Sequence, residues 1–279
     1  MNPTRRTLVV FLLALTSAVT SAAAQVPLAP APPAPLTQEQ MANFLLKAEI
    51  GRVRNAGSGV TDSKRATLSD GALTHDAHIQ TVDIARSVFE AGKHSETNFK
   101  DTYRFNIAAY RLSTLLGLRV PVSVERKMNG DWAAFTWWVD DVAMDEEARN
   151  KSKTPLGPDP VRTTQQLSMM RAWDELIENK DRNQGNILWT KDWTMWLIDH
   201  TRAFRLNHQL TSPERLMRID REMFTRLRGL TRESIEKAVG ESLRKDELAA
   251  LVARRDALVK HFEARIARAG EENVLFAMK

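Results

Sequence analysis

Residues 181–186 read Asp-Arg-Asn-Gln-Gly-Asn, and residues 198–200 read Ile-Asp-His. The chain between them contains two short, mainly apolar runs, at 187–189 and 193–198, separated by three polar residues that include the turn at Lys191 and Asp192. Two apolar runs on either side of a polar turn predict a small β-hairpin. We therefore expect this hairpin to bring the two polar motifs together in one cleft.

The residue types in these motifs suit phosphoryl transfer. The reaction needs a carboxylate that holds the attacking hydroxyl and two oxygen ligands that hold a divalent metal against the nucleotide phosphates. In protein kinases the loop carboxylate and the metal-binding asparagine are five residues apart, and a second aspartate lies further along the chain. Asp181 and Asn186 have this spacing, and Asp199 follows the apolar strand.

The run from Asp181 to Phe204 resembles the catalytic core of phosphatidylinositol 3-/4-kinase-type and HipA-like kinases. Those proteins carry an Asp-Arg-x-x-x-Asn loop, a hairpin, and an apolar strand that ends in Ile-Asp, as here. The resemblance covers about residues 45–265 and implies an α+β, two-lobed protein-kinase-like fold. The chain also resembles a group of uncharacterised bacterial exported proteins. For this reason the resemblance does not imply a specific substrate.

The resemblance assigns roles to particular residues. Asp181 would be the catalytic carboxylate, and Asn186 and Asp199 would bind Mg²⁺ or Mn²⁺. The loop from Gly57 to Gly59 would cover the phosphates of ATP or another nucleotide. The segment from Trp138 to Val142 would be the hinge between the lobes, beside the adenine.

Two positions depart from the kinase pattern. A kinase pairs a lysine on its third strand with a glutamate on the next helix, and this ion pair clamps the phosphates. Our alignment places Gln80 and Asn106 there, both neutral, so neither leaves an unpaired buried charge. We expect the two amides to be hydrogen-bonded across the cleft. Lys64 or Arg65 on the preceding strand could contact the phosphates instead.

The N-terminus has the pattern of a secretory signal. Arg5 and Arg6 precede an apolar run from Leu8 to Val19, and Ala22 and Ala24 form a small-x-small cleavage site. Residues 1–24 are therefore expected to be removed, which makes the protein exported, either periplasmic or secreted. An uncleaved N-terminal anchor is the alternative. Five prolines between residues 27 and 35 predict an extended tether over residues 25–38.

The composition narrows the function classes. The formal charge is +5, and loss of the signal lowers it to about +3, with acidic and basic residues interspersed. This charge is too small to indicate nucleic-acid binding. There is no cysteine, so packing without disulfides must stabilise the fold. Export also conflicts with the expected chemistry, because ATP is scarce outside the cytoplasm.

Periodicity and turn signals predict a mixed first half and a helical second half, which the kinase resemblance implies are two lobes, at 39–141 and 142–279. The predicted elements are a helix over 37–48, strands over 60–68 and 77–82, a helical face from Phe99 to Leu115 ended by Gly117, a hairpin around Asn129 and Gly130, loops over 144–160, and helices over 163–179, from Ser212, and over 246–269.

Several polar residues have two interpretations. Arg202, Arg205 and His208 either receive an acidic acceptor or belong to a solvated loop, and His75 and His78 are interpreted as structural. For function we carry an exported kinase-like transferase that acts on a protein, lipid or small-molecule acceptor. The alternatives are a non-catalytic, pseudokinase-type binding module and an unrelated exported α+β protein.

Overall fold

A computed structural model describes residues 35–56, 63–91 and 94–278. The predicted signal peptide, most of the predicted tether, and the loop with Gly57 and Gly59 lie outside the described residues.

The described elements are mostly strands in the first half and mostly helices in the second. The strands are β1 (Glu49–Asn55), β2 (Lys64–Ser69), β3 (Thr74–Gln80), β4 (Asp83–Ala91), β5 (His94–Thr102), β6 (Ser123–Met128), β7 (Asp131–Trp137), β8 (Val142–Asp145), β9 (Ile187–Thr190), β10 (Met195–Leu197), β11 (Ile219–Asp220) and β12 (Leu275–Phe276). The helices are α1 (Gln38–Lys47), α2 (Arg104–Leu116), α3 (Glu146–Lys151), α4 (Pro160–Ile177), α5 (Arg221–Gly229), α6 (Arg232–Val239), α7 (Lys245–Ala269) and α8 (Glu271–Val274).

The first half is built on an antiparallel sheet with the strand order β1-β2-β3-β7-β6. Its buried side chains alternate along the strands, as in Ala66 and Leu68 of β2 or Ala77 and Ile79 of β3. These side chains and Phe44 of α1 form one apolar core. The sheet therefore buries one face under the first helix.

Local signals set the ends of several elements as predicted. The Thr37 hydroxyl accepts a hydrogen bond from the Gln40 amide, and the Gln40 side chain accepts one from Thr37, so a capping box begins α1. Asn129 and Gly130 have φ angles of 54° and 97°, as the tight turn between β6 and β7 requires. Gly117, with φ 74°, ends α2.

The β4–β5 hairpin was not predicted. It lies between β3 and α2, and its strands pair from Asp83 with Thr102 onwards. The expected helical face was wrong at its start, because Phe99 is on β5 and α2 begins only at Arg104. Phe99 stacks on Phe89 with ring centroids 4.2 Å apart, a cross-strand pair that stabilises the hairpin.

The second half packs helices around a larger core. Helix α4 was predicted and starts at Pro160, and α7 ends at Gly270 as expected. The segment 144–160 is not only loop, since it contains the end of β8 and the whole of α3. After Ser212 there is only a short 3₁₀ turn, because the backbone of Leu216 leaves the helical region and leads into β11.

Helix α2 connects the two cores. Phe105 and Leu112 belong to the core of the second half, and Tyr110 packs against both cores. Residues 36–279 form one compact unit. Within the described residues, no helix is both long and apolar enough to span a bilayer.

One glycine offers a sharp test of this packing. Gly157 has φ 74°, and a Cβ there would lie 2.5 Å from the ring of Trp193. Gly157→Ala should therefore lower the free energy of unfolding by more than the cost of a left-handed alanine alone, which is about 1–2 kcal/mol. Gly71→Ala is the matched control, because Gly71 has φ 87° and open space around it. Urea denaturation of both variants measures the difference, and equal losses would contradict the contact.

Candidate functional site

The loop with Asp181 begins where α4 ends in a left-handed residue. Glu178 has φ 50° and a buried side chain. Arg254 of α7, fully buried, contacts the Glu178 carboxylate at 3.3 Å. It also donates to the carbonyl of Leu176 at 2.8 Å and to that of Arg205 at 2.9 Å. Burial lowers the pKa of Arg254 to about 10, so it stays charged at neutral pH and fixes the loop entrance.

Arg182 holds the two polar motifs together. Its guanidinium is buried against Asp174 of α4, with an N–O distance of 3.0 Å. The same group donates to the carbonyls of Asn186 at 3.2 Å and Ile198 at 2.7 Å. Burial raises the pKa of Asp174, and the charge of Arg182 partly offsets this. One side chain thus ties α4 to both ends of the hairpin.

His200 completes this arrangement in its neutral form. Its Nε2 accepts hydrogen bonds from the Trp173 indole at 3.3 Å and from Arg182 at 3.0 Å. A nitrogen that accepts twice carries no proton, so the proton is on Nδ1. Burial, and then the charge of Arg182, lowers the pKa of His200 well below its usual range.

Asn186 and Asp199 lie on adjacent chain segments, as expected. The Ile198 amide donates to the Asn186 carbonyl at 3.1 Å. Asp199 has φ 53°, a left-handed conformation that is strained for a residue with a Cβ. Its carboxylate is exposed and accepts a hydrogen bond from the Thr201 hydroxyl at 3.1 Å. Asp199 thus presents an exposed carboxylate directly after the residue that is hydrogen-bonded to Asn186.

Asp181 is half-exposed and partly neutralised. Its Oδ2 lies 3.1 Å from the guanidinium of Arg202, which also contacts Glu96 of the β4–β5 hairpin at 3.4 Å. Arg205 contacts the same glutamate. The loop carboxylate is therefore linked through Arg202 to the unpredicted hairpin.

A third carboxyl group, that of Asp101 on β5, lies near Asp181 and Asp199. It was not predicted as a site residue from the sequence. Burial raises its pKa, an effect that the nearby Thr201 hydroxyl partly offsets and that the charges of Asp199 and Asp181 reinforce. Both predicted site aspartates are thus within electrostatic range of Asp101. Thr97 and Phe99, two positions apart among polar residues, are the weak signal that could have placed Asp101 on a strand.

The expected hydrogen bond between Gln80 and Asn106 was wrong. The Asn106 side-chain oxygen accepts from the His200 amide at 2.7 Å. The Gln80 side-chain oxygen accepts from the Thr81 and Val82 amides at 3.1 and 3.4 Å. Each oxygen is committed to a nearby backbone donor, and among the described residues no hydrogen bond joins the two amides. Asn106 instead anchors the segment that carries Asp199.

The two cations of β2 differ in their surroundings. Arg65 is bound to Asp76 and its guanidinium lies 3.9 Å from the centre of the Trp138 ring. Lys64 contacts the Asn55 side chain at 3.2 Å and lies at the end of β2 that follows the loop with Gly57 and Gly59. Of the two, Lys64 is the one nearer in sequence to that loop.

The remaining predicted positions have clear places in the fold. The segment from Trp138 to Val142 connects β7 of the five-stranded sheet to β8 of a three-stranded sheet with the order β10-β9-β8. His75 stacks on Trp137 and contacts Asp140 at 2.9 Å, a structural arrangement. Burial lowers the pKa of His78, and the charge of Asp199 opposes this, so His78 lies within reach of the site.

The oxygen groups fit a metal held jointly with a nucleotide. Among the described residues, no three histidine or acidic side chains are close enough to hold a metal by themselves. Magnesium bound with a nucleotide usually takes only one or two carboxylates, the phosphates and water supplying the other ligands. Asp199 and Asn186 are suitable ligands of this kind.

Comparison with solved structures shows a kinase-like fold. The structure of hydra Fam20 with sugar matches with a TM-score of 0.65 at 16% identity, covering 86% of this chain and 92% of that one. The Golgi casein kinase with Mn/ADP bound matches with a TM-score of 0.64 at 15% identity, covering 85% and 78%. No family model and no curated protein sequence matches the chain. The predicted α+β fold, β-rich first and helical later, is confirmed.

The contacts of Arg182 give a prediction about stability. Arg182→Met leaves Asp174 buried without its partner and should cost about 3–5 kcal/mol of unfolding free energy. Lys191→Met is the control, because the Lys191–Asp141 pair is exposed and should contribute less than about 1 kcal/mol.

Urea denaturation of both variants gives the comparison. Adding Asp174→Asn to Arg182→Met should recover part of the loss, since it removes the stranded charge. Similar small losses for the two single variants would show that Arg182 does not hold the loop.

Proposed function

We propose that the chain is a kinase-like transferase that binds a nucleotide, ATP in the first instance, together with Mg²⁺ or Mn²⁺. It would transfer a phosphoryl group to a hydroxyl of a protein, lipid or small-molecule acceptor. The observation that carries the proposal is the buried Arg182 side chain, which follows Asp181 and donates to the carbonyls of Asn186 and of Ile198, the neighbour of Asp199. The kinase-like fold of the described residues supports it.

Each residue has a defined task in this proposal. Asp199 and Asn186 hold the metal, whose contribution when bound is to neutralise the phosphate charge. Asp181 orients the acceptor hydroxyl and takes its proton, for which Oδ1 is available because Arg202 contacts Oδ2. The hydroxyl oxygen bonds to the terminal phosphorus, the bond to the bridging oxygen breaks, and the nucleoside diphosphate leaves with that electron pair.

The N-terminal part of the site belongs to the same proposal. Gly57 and Gly59 would cover the phosphates, with Lys64 beside them at the start of β2. Gln80 and Asn106 would act on the site indirectly. Asn106 holds the His200 amide and so positions Asp199. The resemblance of residues 181–204 to phosphatidylinositol 3-/4-kinase-type and HipA-like kinases, and to bacterial exported proteins, is consistent with this division of tasks.

Two substitutions separate binding from chemistry. Asp199→Asn should abolish the rise in melting temperature that Mn²⁺ and ATP produce together in the wild type, because a metal ligand is lost. Asp181→Asn should keep most of that rise but lower turnover by at least 100-fold, because the proton acceptor is lost. Thermal melting and release of ADP give the two measurements.

The outcomes also distinguish the alternative function. Asp131→Asn, an exposed carboxylate at the start of β7, is the control and should behave as the wild type. A nucleotide-induced shift without turnover in the wild type would favour the non-catalytic, pseudokinase-type binding module. No shift with any nucleotide and metal would contradict both functions.

We also propose that the protein is exported and cleaved after Ala24, on the strength of the sequence pattern of residues 1–24. N-terminal sequencing of the protein recovered outside the cytoplasm should then give Gln25 as the first residue. Replacing Ala22 and Ala24 by bulky residues should block the cleavage. Recovery of an intact N-terminus from a membrane fraction would support the uncleaved anchor instead.

A further inference from the structure

The buried carboxyl group of Asp101 is unusual within the described part of the chain. Its residue is only 7% exposed, and its Oδ1 has no hydrogen-bond partner among the described residues. Leaving a buried polar atom unpaired costs free energy, and the cost is larger for a charged group. Such an atom calls for a ligand that the protein alone does not supply.

The chain around Asp101 is fixed tightly beside Asp199. The amide of Thr102, at the end of β5, donates to the carbonyl of Thr201 at 2.9 Å. The Thr201 hydroxyl in turn donates to Asp199 Oδ1 at 3.1 Å. The same hydroxyl also lies near Asp101, and because it has only one proton it cannot donate to both carboxyl groups at once. Asp101 and Asp199 therefore share one nearby donor, which in this structure donates to Asp199.

The nearby cations are already engaged. The Arg202 guanidinium contacts Asp181 at 3.1 Å and Glu96 at 3.4 Å. Lys100, the residue before Asp101, contacts Glu247 of α7 at 2.7 Å. Among the described residues, neither Asp101 nor Asp199 forms an ion pair, so negative charge on these two groups has no arginine or lysine partner of its own. A divalent cation is the species that would compensate it with oxygen ligation.

We propose that Asp101 is a further ligand of the divalent cation that Asp199 and Asn186 hold. This proposal rests on the function proposed above and extends the site to the β4–β5 hairpin. Carboxylate oxygens are the ligands that Mg²⁺ and other hard cations prefer. The cation would be the missing partner of Asp101 Oδ1. Cation binding would link the β4–β5 hairpin to the hairpin formed by β9 and β10.

The test is titration of the full chain with Mn²⁺ alone and then with Mn²⁺ and ADP. Electron paramagnetic resonance counts free Mn²⁺, and thermal melting follows the protein. Asp101→Asn keeps the shape of the side chain but removes its charge, and it should weaken Mn²⁺ binding at least tenfold. Asp101→Glu should retain most of the affinity. Asp131→Asn is the control and should bind Mn²⁺ as the wild type does.

The result separates this inference from the proposed function. If Asp199→Asn abolishes Mn²⁺ binding while Asp101→Asn and Asp101→Glu bind as the wild type does, Asp101 is structural and the inference is overturned, but the function stands. A changed melting temperature of the metal-free Asp101→Asn variant with unchanged Mn²⁺ affinity leads to the same conclusion. If the wild type binds no Mn²⁺ with or without ADP, both proposals are overturned.

Discussion

The ion pair between Arg182 and Asp174 is the contact on which the candidate site depends. A buried guanidinium is costly unless every donor finds an acceptor, and here the acceptors are one carboxylate, two carbonyls and a neutral imidazole. Because those acceptors come from α4, from the loop and from the strand end, satisfying one side chain fixes three segments at once. The planar fork of arginine suits this task, whereas a lysine could not reach all of them.

The β4–β5 hairpin adds a second layer of charge to this arrangement. Glu96 of this hairpin forms ion pairs with Arg202 and Arg205. Arg202 also forms an ion pair with Asp181, so it links the hairpin to the loop carboxylate. The sequence interpretation treated these arginines as a solvated loop or an acceptor site. In the structure Arg202 lies between Asp181 and Glu96, and Arg205 contacts Glu96. Both arginines therefore belong to the contacts around the loop carboxylate.

The sequence predicted turns and helix ends well where the backbone conformation is determined by one or two residues, such as glycine or asparagine. The Asn129–Gly130 turn, the end of α2 at Gly117 and the hairpin after Asn186 all follow from such signals. Contacts between distant segments were not predictable in the same way. The hydrogen-bond donor to the Asn106 side chain is the backbone amide of His200, 94 positions later. Nothing in the sequence around Asn106 indicates that its partner is this amide and not the Gln80 side chain. Asp101 was missed because its strand was read as the start of a helix.

Helix α2 has a mechanical consequence. Its side chains pack into both apolar cores, and Asn106 in its first turn holds the amide next to Asp199. A helix advances about 1.5 Å per residue, so even a one-residue slide along its axis would break a 2.7 Å hydrogen bond. A movement of the sheet relative to the helical half that shifts α2 would therefore also displace the chain beside Asp199. Helix α2 is the element that couples these two parts of the protein.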